Sequence, residues 1–150
     1  MLIELVFATV MVVLTVVIHG AGLLVLSRML RALDGHHEET RVSPASLRGA
    51  AIACLLALGL LTLHGLEIWL YGLLYLGVGA IEGLRDAIYF STISYASIGY
   101  SDAVVDRQWR LLGGIEGVNG ALLLGWSIAF FVTVMTRFMP PSRKHRQLPP

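Results

Sequence analysis

Three long stretches with little or no charge constrain the fold of this chain more than any other feature. Residues 5–27 and 117–136 contain no Asp, Glu, Lys or Arg, and residues 49–81 contain no Lys or Arg. A helix needs about 20 apolar residues to cross the hydrocarbon core of a bilayer. Within lipid, only helices and closed barrels satisfy their own backbone hydrogen bonds. We therefore predict an all-α membrane protein with three transmembrane helices.

The overall composition supports a membrane protein and excludes several other classes. The 150 residues are 56% hydrophobic and 14% charged, whereas soluble domains carry about 25% charged residues. The formal net charge of +1 gives no strong attraction to nucleic acid, so we expect no nucleic-acid partner. The single cysteine, Cys54, permits no internal disulfide, and no cysteine–histidine spacing typical of a zinc site is present.

Polar segments divide the chain into four predicted parts. Residues 1–33 form an extra N-terminal transmembrane helix, and residues 34–48 form a polar loop. Residues 49–138 form the main membrane domain, and residues 139–150 form a basic tail that we expect to be disordered. The second apolar stretch is too long for one simple span, which predicts a helix followed by a descending segment. An aromatic belt at one membrane surface is predicted from a set near the end of that helix: Trp69, Tyr71 and Tyr75.

The distribution of Lys and Arg predicts the orientation in the membrane. Eight of the eleven basic residues lie in the first loop or the tail: Arg28, Arg31, Arg41, Arg48, Arg137, Arg143, Lys144 and Arg146. Because positive charge favours the cytoplasmic side, the loop and the C-terminus are predicted to be cytoplasmic. The N-terminus is then outside, and we expect a multi-pass protein of the cell membrane.

A short amphipathic segment between the second and third spans predicts a re-entrant element. Residues 84–95 read as a helix too short to cross the bilayer, and this helix leads directly into Ser97–Asp102. Non-helical backbone at membrane depth is tolerated only where it is buried in protein or lines a wet cavity. We therefore predict a short re-entrant helix followed by a loop that is buried in protein or lines a wet cavity.

The six residues Ser97–Asp102 resemble the potassium-channel selectivity filter, commonly Thr-Val-Gly-Tyr-Gly-Asp. Ile98 stands for Val, Ser97 keeps a hydroxyl where the family has Thr, and Ser101 replaces the second Gly. Three positions are identical: Gly99, Tyr100 and Asp102. The resemblance covers about residues 50–138, which would be the outer helix, pore helix, filter and inner helix of the two-helix potassium-channel pore domain.

This resemblance implies a homotetrameric channel for passive cation flux, most readily of potassium, and not an enzyme. Potassium ions would bind the backbone carbonyl groups of the filter, at Ser97, Ile98, Gly99, Tyr100 and Ser101. Asp102 would concentrate cations at the outer mouth. The expected partners are other copies of this chain, the lipid bilayer and monovalent cations, and no cofactor is expected beyond the permeant ion.

Further residues receive supporting roles in this interpretation. Four aromatic residues are predicted to form an aromatic cuff that holds the filter: Tyr89, Phe90, Tyr95 and Tyr100. Glu67 is predicted to brace the filter by pairing with His64, Arg85 or the pore-helix backbone, and Glu116 to act as a brace or an outer charge. The resemblance suggests an inner-helix hinge at Gly120 and Gly125. Two roles stay open for Phe130 and Phe131, which either form a hydrophobic gate or pack in the core.

The sequence also leaves the ion preference and the use of two histidines open. Ser101 stands where the family uses a conformation that a β-carbon disfavours by about 1–2 kcal/mol, which leaves a nonselective cation channel as an alternative. A nonconducting channel-like subunit is also compatible with the sequence. His19 and His64 are candidate ligands of a b-type haem. A stripe of small residues either joins subunits or packs on the pore helix: Gly113, Gly117, Ala121 and Gly125.

Overall fold

The computed structural model describes residues 1–34, 47–99 and 104–138, and these residues are helical with short connections. The elements are α1 (Leu2–Asp34), α2 (Leu47–Gly77), α3 (Leu84–Tyr95), a short 3₁₀ turn (Arg107–Trp109) and α4 (Arg110–Phe138). Helices α1, α2 and α4 are long and apolar enough to cross a membrane. The described residues contain no strand. The predicted all-α membrane fold with three spans is therefore confirmed.

Two helices differ in length from the uncharged stretches that predicted them. α1 has 33 residues, about 50 Å, and so exceeds the hydrocarbon core of a bilayer at one or both ends. α2 ends at Gly77, and the chain then turns through Gly79 (φ 68°) and Gly83 (φ 93°) before α3 begins. The long second stretch is thus a spanning helix followed by a turn that returns the chain towards the membrane.

The N-terminal helix packs against the other helices along its length. Phe7 of α1 contacts Trp109 edge-on at 5.8 Å, and Leu30 joins Val134 in a second apolar cluster near the other end. α1 therefore runs parallel to α4 and antiparallel to α2. Its small residues allow close approach, because a β-carbon at Gly22 would overlap the side chain of Leu63.

Polar contacts also tie α1 to α4. Glu4 accepts a hydrogen bond from the backbone N–H of Leu112 at 3.1 Å, which satisfies an amide in the first turn of α4. The side-chain amide of Asn119 donates to Thr15 at 2.8 Å. Because these partners are buried, α1 is part of the same packed body as α4.

The predicted aromatic belt is wrong for two of its three members. Tyr71 and Tyr75 are fully buried, whereas Trp69 is half exposed. The hydroxyl groups of the two tyrosines contact Asn119 and Glu116 of α4 rather than the membrane surface. Position near the end of a helix did not reveal that neighbouring helices cover this face.

Candidate ion-conduction site

The pore helix forms where the sequence predicts it, as α3 from Leu84 to Tyr95. It follows the turn at Gly83, and Asp86 in its first turn places negative charge near the positive end of the helix dipole. One face is buried against α2 and α4. This packing fixes the direction in which the C-terminal end of α3 points.

A Schellman motif ends α3 at the start of the filter string. The N–H of Ile98 donates to the carbonyl of Ile93 at 2.9 Å, and the N–H of Ser97 donates to that of Ser94 at 2.9 Å. Ser97 has φ 54°, the left-handed conformation for which this position usually carries glycine. Its hydroxyl donates to the carbonyl of Gly117 at 3.0 Å, so α4 helps to hold the strained residue.

The first three filter residues turn their backbone amides towards α3. Gly99, with φ 63°, also directs its N–H to the carbonyl of Ile93, at 3.4 Å. No hydrogen bond between described residues ends on the carbonyl oxygens of Ser97, Ile98 or Gly99. The other predicted filter and mouth residues lie outside the described residues: Tyr100, Ser101 and Asp102.

Small residues on α4 allow it to lie directly against α3. A β-carbon at Gly117 would lie 3.0 Å from the carbonyl oxygen of Ser94, and one at Gly120 would overlap the carbonyl of Tyr95. Gly113 faces the ring of Phe90 in the same way, whereas Gly125 has open space around it. The packing interpretation of the small-residue stripe is therefore favoured at Gly113 and Gly117. α4 is continuous through Gly120 and Gly125, and their role as a hinge stays a prediction.

Glu116 of α4 joins Ser91, one turn before the end of α3, to α2. One carboxylate oxygen accepts from the hydroxyl of Tyr75 at 2.6 Å, and the other accepts from that of Ser91 at 2.5 Å. All three residues are fully buried. Glu116 thus lies where a brace of the pore helix is needed, rather than at a solvent-facing mouth.

Glu67 joins the last residue of α3 to α1 and α2. Its Oε1 lies 3.0 Å from Nδ1 of His19, and its Oε2 accepts a short hydrogen bond from the hydroxyl of Tyr95. Nδ1 of His64 lies 3.4 Å from the same Oε2. Among the described residues, the ion-pair partners of Glu67 are these two histidines and not Arg85. The spacing of His64 and Glu67 predicted their shared face, whereas His19 was predicted only as a candidate haem ligand with His64 and not as a partner of Glu67.

The same contacts argue against haem ligation by the two histidines. Nε2 of His64 and Nε2 of His19 both contact the hydroxyl of Ser127, at 2.9 Å and 3.2 Å. The two imidazole rings lie 5.2 Å apart, with Glu67 and Ser127 at their nitrogen atoms. No space for a porphyrin therefore separates the two rings.

The remaining predicted support residues lie in different surroundings. Phe90 is buried and meets the ring of Tyr75 edge-on at 5.2 Å, whereas Tyr89 is 56% exposed on the single chain. An aromatic cuff that includes Tyr89 would therefore need a neighbouring subunit. Phe130 and Phe131 are half-buried against the apolar cluster of α1, α2 and α4, which favours core packing, and their role as a gate stays a prediction.

Comparison with known proteins identifies the family. A family model described as an ion channel matches residues 60–137, which is more than half of the chain and includes most of α2, all of α3 and nearly all of α4. Searches of curated proteins and of solved structures gave no match. The chain therefore belongs to this ion-channel family, that of the potassium-channel pore domain.

Proposed function

We propose that this protein is a homotetrameric channel that conducts potassium passively through a filter of backbone carbonyls at residues 97–102, and that it is not an enzyme. Membership of the ion-channel family supports the general function. The filter-like string and the geometry of its first residues support the choice of ion. A pore must replace the hydration shell that a cation loses, and rings of carbonyl oxygens do so for potassium.

The observation that carries this proposal is the backbone geometry immediately after α3. Ser97 and Gly99 have left-handed backbone, and the N–H groups of residues 97–99 are directed to the carbonyls of α3. With the amides turned into the protein, the carbonyl oxygens are left to meet a cation. The negative end of the α3 dipole adds attraction for the same charge.

A ring of carbonyls requires several chains, which supports assembly by cyclic symmetry. A cleft of about 340 Å³ lies between the filter and α4, with Ser94, Gly99 and Val118 among its lining residues. α4 also exposes large apolar side chains that a neighbouring subunit or the pore would meet: Val118, Leu122, Ile128 and Val132. Cross-linking in liposomes is expected to give a four-chain species as the largest product.

The orientation that we propose places the N-terminus outside and the C-terminus in the cytoplasm of the cell. Arg31 lies in the last turn of α1 and Arg137 in the last turn of α4, and these two ends lie together because α1 and α4 are parallel. Positive charge collected at one end favours the cytoplasmic side. The filter then lies nearer the outer surface.

Flux in reconstituted liposomes tests the proposed function. We expect potassium efflux that exceeds sodium efflux and that barium blocks. Equal potassium and sodium flux would favour the nonselective alternative, which the serine at position 101 supports. Absence of flux from a correctly assembled protein would contradict the channel function and favour a nonconducting subunit.

A single substitution sharpens the choice between the two kinds of channel. Ser101→Gly restores the residue that the filter family carries at this position, and we expect it to increase the preference for potassium over sodium. Reversal potentials measured in mixed potassium and sodium solutions report that preference. Identical reversal potentials for the variant and the wild type would contradict this account of Ser101.

A further inference from the structure

A buried cluster of potential metal ligands lies beside the end of the pore helix. His19 of α1 and His64 and Glu67 of α2 each offer one ligand atom, and these atoms lie within 4.8 Å of one another. All three residues are buried, and His19 and Glu67 are wholly inaccessible. Ionisable groups at membrane depth are costly and are retained where they serve a site.

The histidine rings are oriented as they are in metal centres. Both Nδ1 atoms face Glu67, at 3.0 Å and 3.4 Å, while both Nε2 atoms face the hydroxyl oxygen of Ser127. A serine hydroxyl has two acceptor lone pairs, so one assignment of tautomers has it accept from both Nε2–H groups. In this arrangement Nδ1 of His19 is directed at the carboxylate of Glu67, and Nδ1 of His64 lies 2.9 Å from the hydroxyl of Tyr95 and 3.4 Å from Glu67. A metal-binding histidine usually donates its other N–H to such a partner, which fixes its tautomer.

Lone pairs of two imidazoles and a carboxylate repel one another unless a positive centre lies between them. A proton on the His19–Glu67 contact supplies that centre at the observed distances, and a divalent ion supplies it more completely. Tetrahedral zinc holds its ligands at about 2.0–2.2 Å, which puts the ligand atoms about 3.3–3.5 Å from one another. The contacts of 3.0 Å and 3.4 Å, which end on different oxygens of Glu67, are close to these values, and the three ligand atoms as a set lie within 4.8 Å of one another.

We propose that His19, His64 and Glu67 bind one divalent transition-metal ion of the zinc class, with the Tyr95 hydroxyl as the adjacent fourth oxygen. Two imidazoles with one carboxylate select zinc, cobalt or nickel over potassium, magnesium or calcium, which prefer oxygen ligands. The side chain of His64 is 11% exposed and is the route by which an ion reaches the cluster. The site goes beyond the proposed channel function and involves none of the filter carbonyls.

Cobalt binding to the full-length protein tests this proposal directly. The protein is purified in detergent with a histidine-free tag, and visible absorption reports cobalt in a tetrahedral site of nitrogen and oxygen ligands. We expect one cobalt per chain, displaced by zinc. Absence of this spectrum in folded wild-type protein would overturn the proposal.

Variants distinguish the buried cluster from other histidines of the chain. A background variant with His36, His37 and His145 changed to Ala is expected to keep the cobalt spectrum. In that background, Glu67→Gln and His19→Ala are expected to lose it, and Ser127→Ala to weaken binding about 10–100-fold. Binding that disappears in the background variant, or persists in Glu67→Gln, would overturn the proposal.

A folding control keeps this test decisive. Glu116→Gln changes the other buried carboxylate, which has no histidine partner among the described residues, and it is expected to retain one cobalt per chain. Zinc is also expected to raise the unfolding temperature of the wild type, because a ligand of the folded state stabilises it, but not that of Glu67→Gln. Equal zinc-dependent shifts in the unfolding temperatures of the wild type and Glu67→Gln would contradict the metal site. This outcome is independent of whether the protein conducts ions.

Discussion

The two buried carboxylates beside the pore helix are stabilised by different partners. Glu116 and Glu67 are both inaccessible to solvent, and each binds a side chain of α3. The partners of Glu116 are two neutral hydroxyl groups, from Tyr75 and Ser91. Glu67 instead contacts two imidazoles as well as the hydroxyl of Tyr95.

This difference in partners determines which of the two clusters can exchange its occupant, a proton or a metal ion. Neutral hydroxyl groups do not take up a proton, so the two partners of Glu116 keep one protonation state. Imidazoles take up a proton and also bind divalent ions, so the Glu67 cluster has more than one possible occupant. Since Tyr95 lies two residues before Ser97, any change in this cluster acts at the end of α3 from which the filter begins. The contacts of Glu116 act one turn earlier in α3, at Ser91.

Replacing each carboxylate separately by alanine is expected to give the largest difference between the two clusters in the free energy of unfolding. Glu67→Ala leaves two imidazoles and a phenol without their common partner, and we expect it to lower the free energy of unfolding by about 3–5 kcal/mol. Glu116→Ala leaves two hydroxyl groups unpaired, and we expect a loss of about 1–3 kcal/mol. Unfolding in mixed detergents, followed by circular dichroism, measures both. An equal or reversed ranking would contradict the distinction.

Energetic coupling across the Glu67 cluster is the next largest effect. His19 and Tyr95 bind opposite oxygens of one carboxylate, so His19→Ala and Tyr95→Phe are expected to be non-additive by about 0.5–3 kcal/mol in the free energy of unfolding. His19→Ala combined with Tyr75→Phe is the matched control, since Tyr75 binds the other carboxylate. Equal coupling in the two cycles would show that the clusters are not separate.

Removal of a single hydroxyl group is expected to have the smallest effect on stability. Tyr75→Phe removes one hydrogen bond to Glu116 and is expected to cost about 0.6–1.7 kcal/mol, the range found for such bonds in membranes. Potassium flux sharpens the comparison, because Tyr95→Phe alters the end of α3 and Tyr75→Phe does not. A larger change in flux for Tyr75→Phe than for Tyr95→Phe would reverse the assigned roles.

The sequence predicted elements whose signals are local. The uncharged stretches predicted the three spans, and the length of the segment before Ser97 predicted α3 with the same bounds as in the structure. The three-residue spacing of His64 and Glu67 predicted their common face, because residues three apart on a helix are neighbours. In each case the signal lies within one element.

Contacts between helices were not predictable in this way. Glu4 and Leu112 are 108 residues apart, His19 and Glu67 are 48 apart, and Tyr75 and Glu116 are 41 apart. In an apolar helix nearly every face is hydrophobic, so periodicity does not show which face packs on a neighbour. The proposed metal-ligand set was not predicted for this reason, since only two of its three members lie on one helix.

Potassium flux through Gly99→Ala tests the central claim most directly. Gly99 has φ 63°, which costs a residue with a β-carbon about 1–2 kcal/mol, whereas Gly65 lies within α2 with open space around it. We expect barium-sensitive flux in wild type and in Gly65→Ala, and a roughly 5–30-fold reduction in Gly99→Ala. Undiminished flux in assembled Gly99→Ala would contradict a filter built on this backbone.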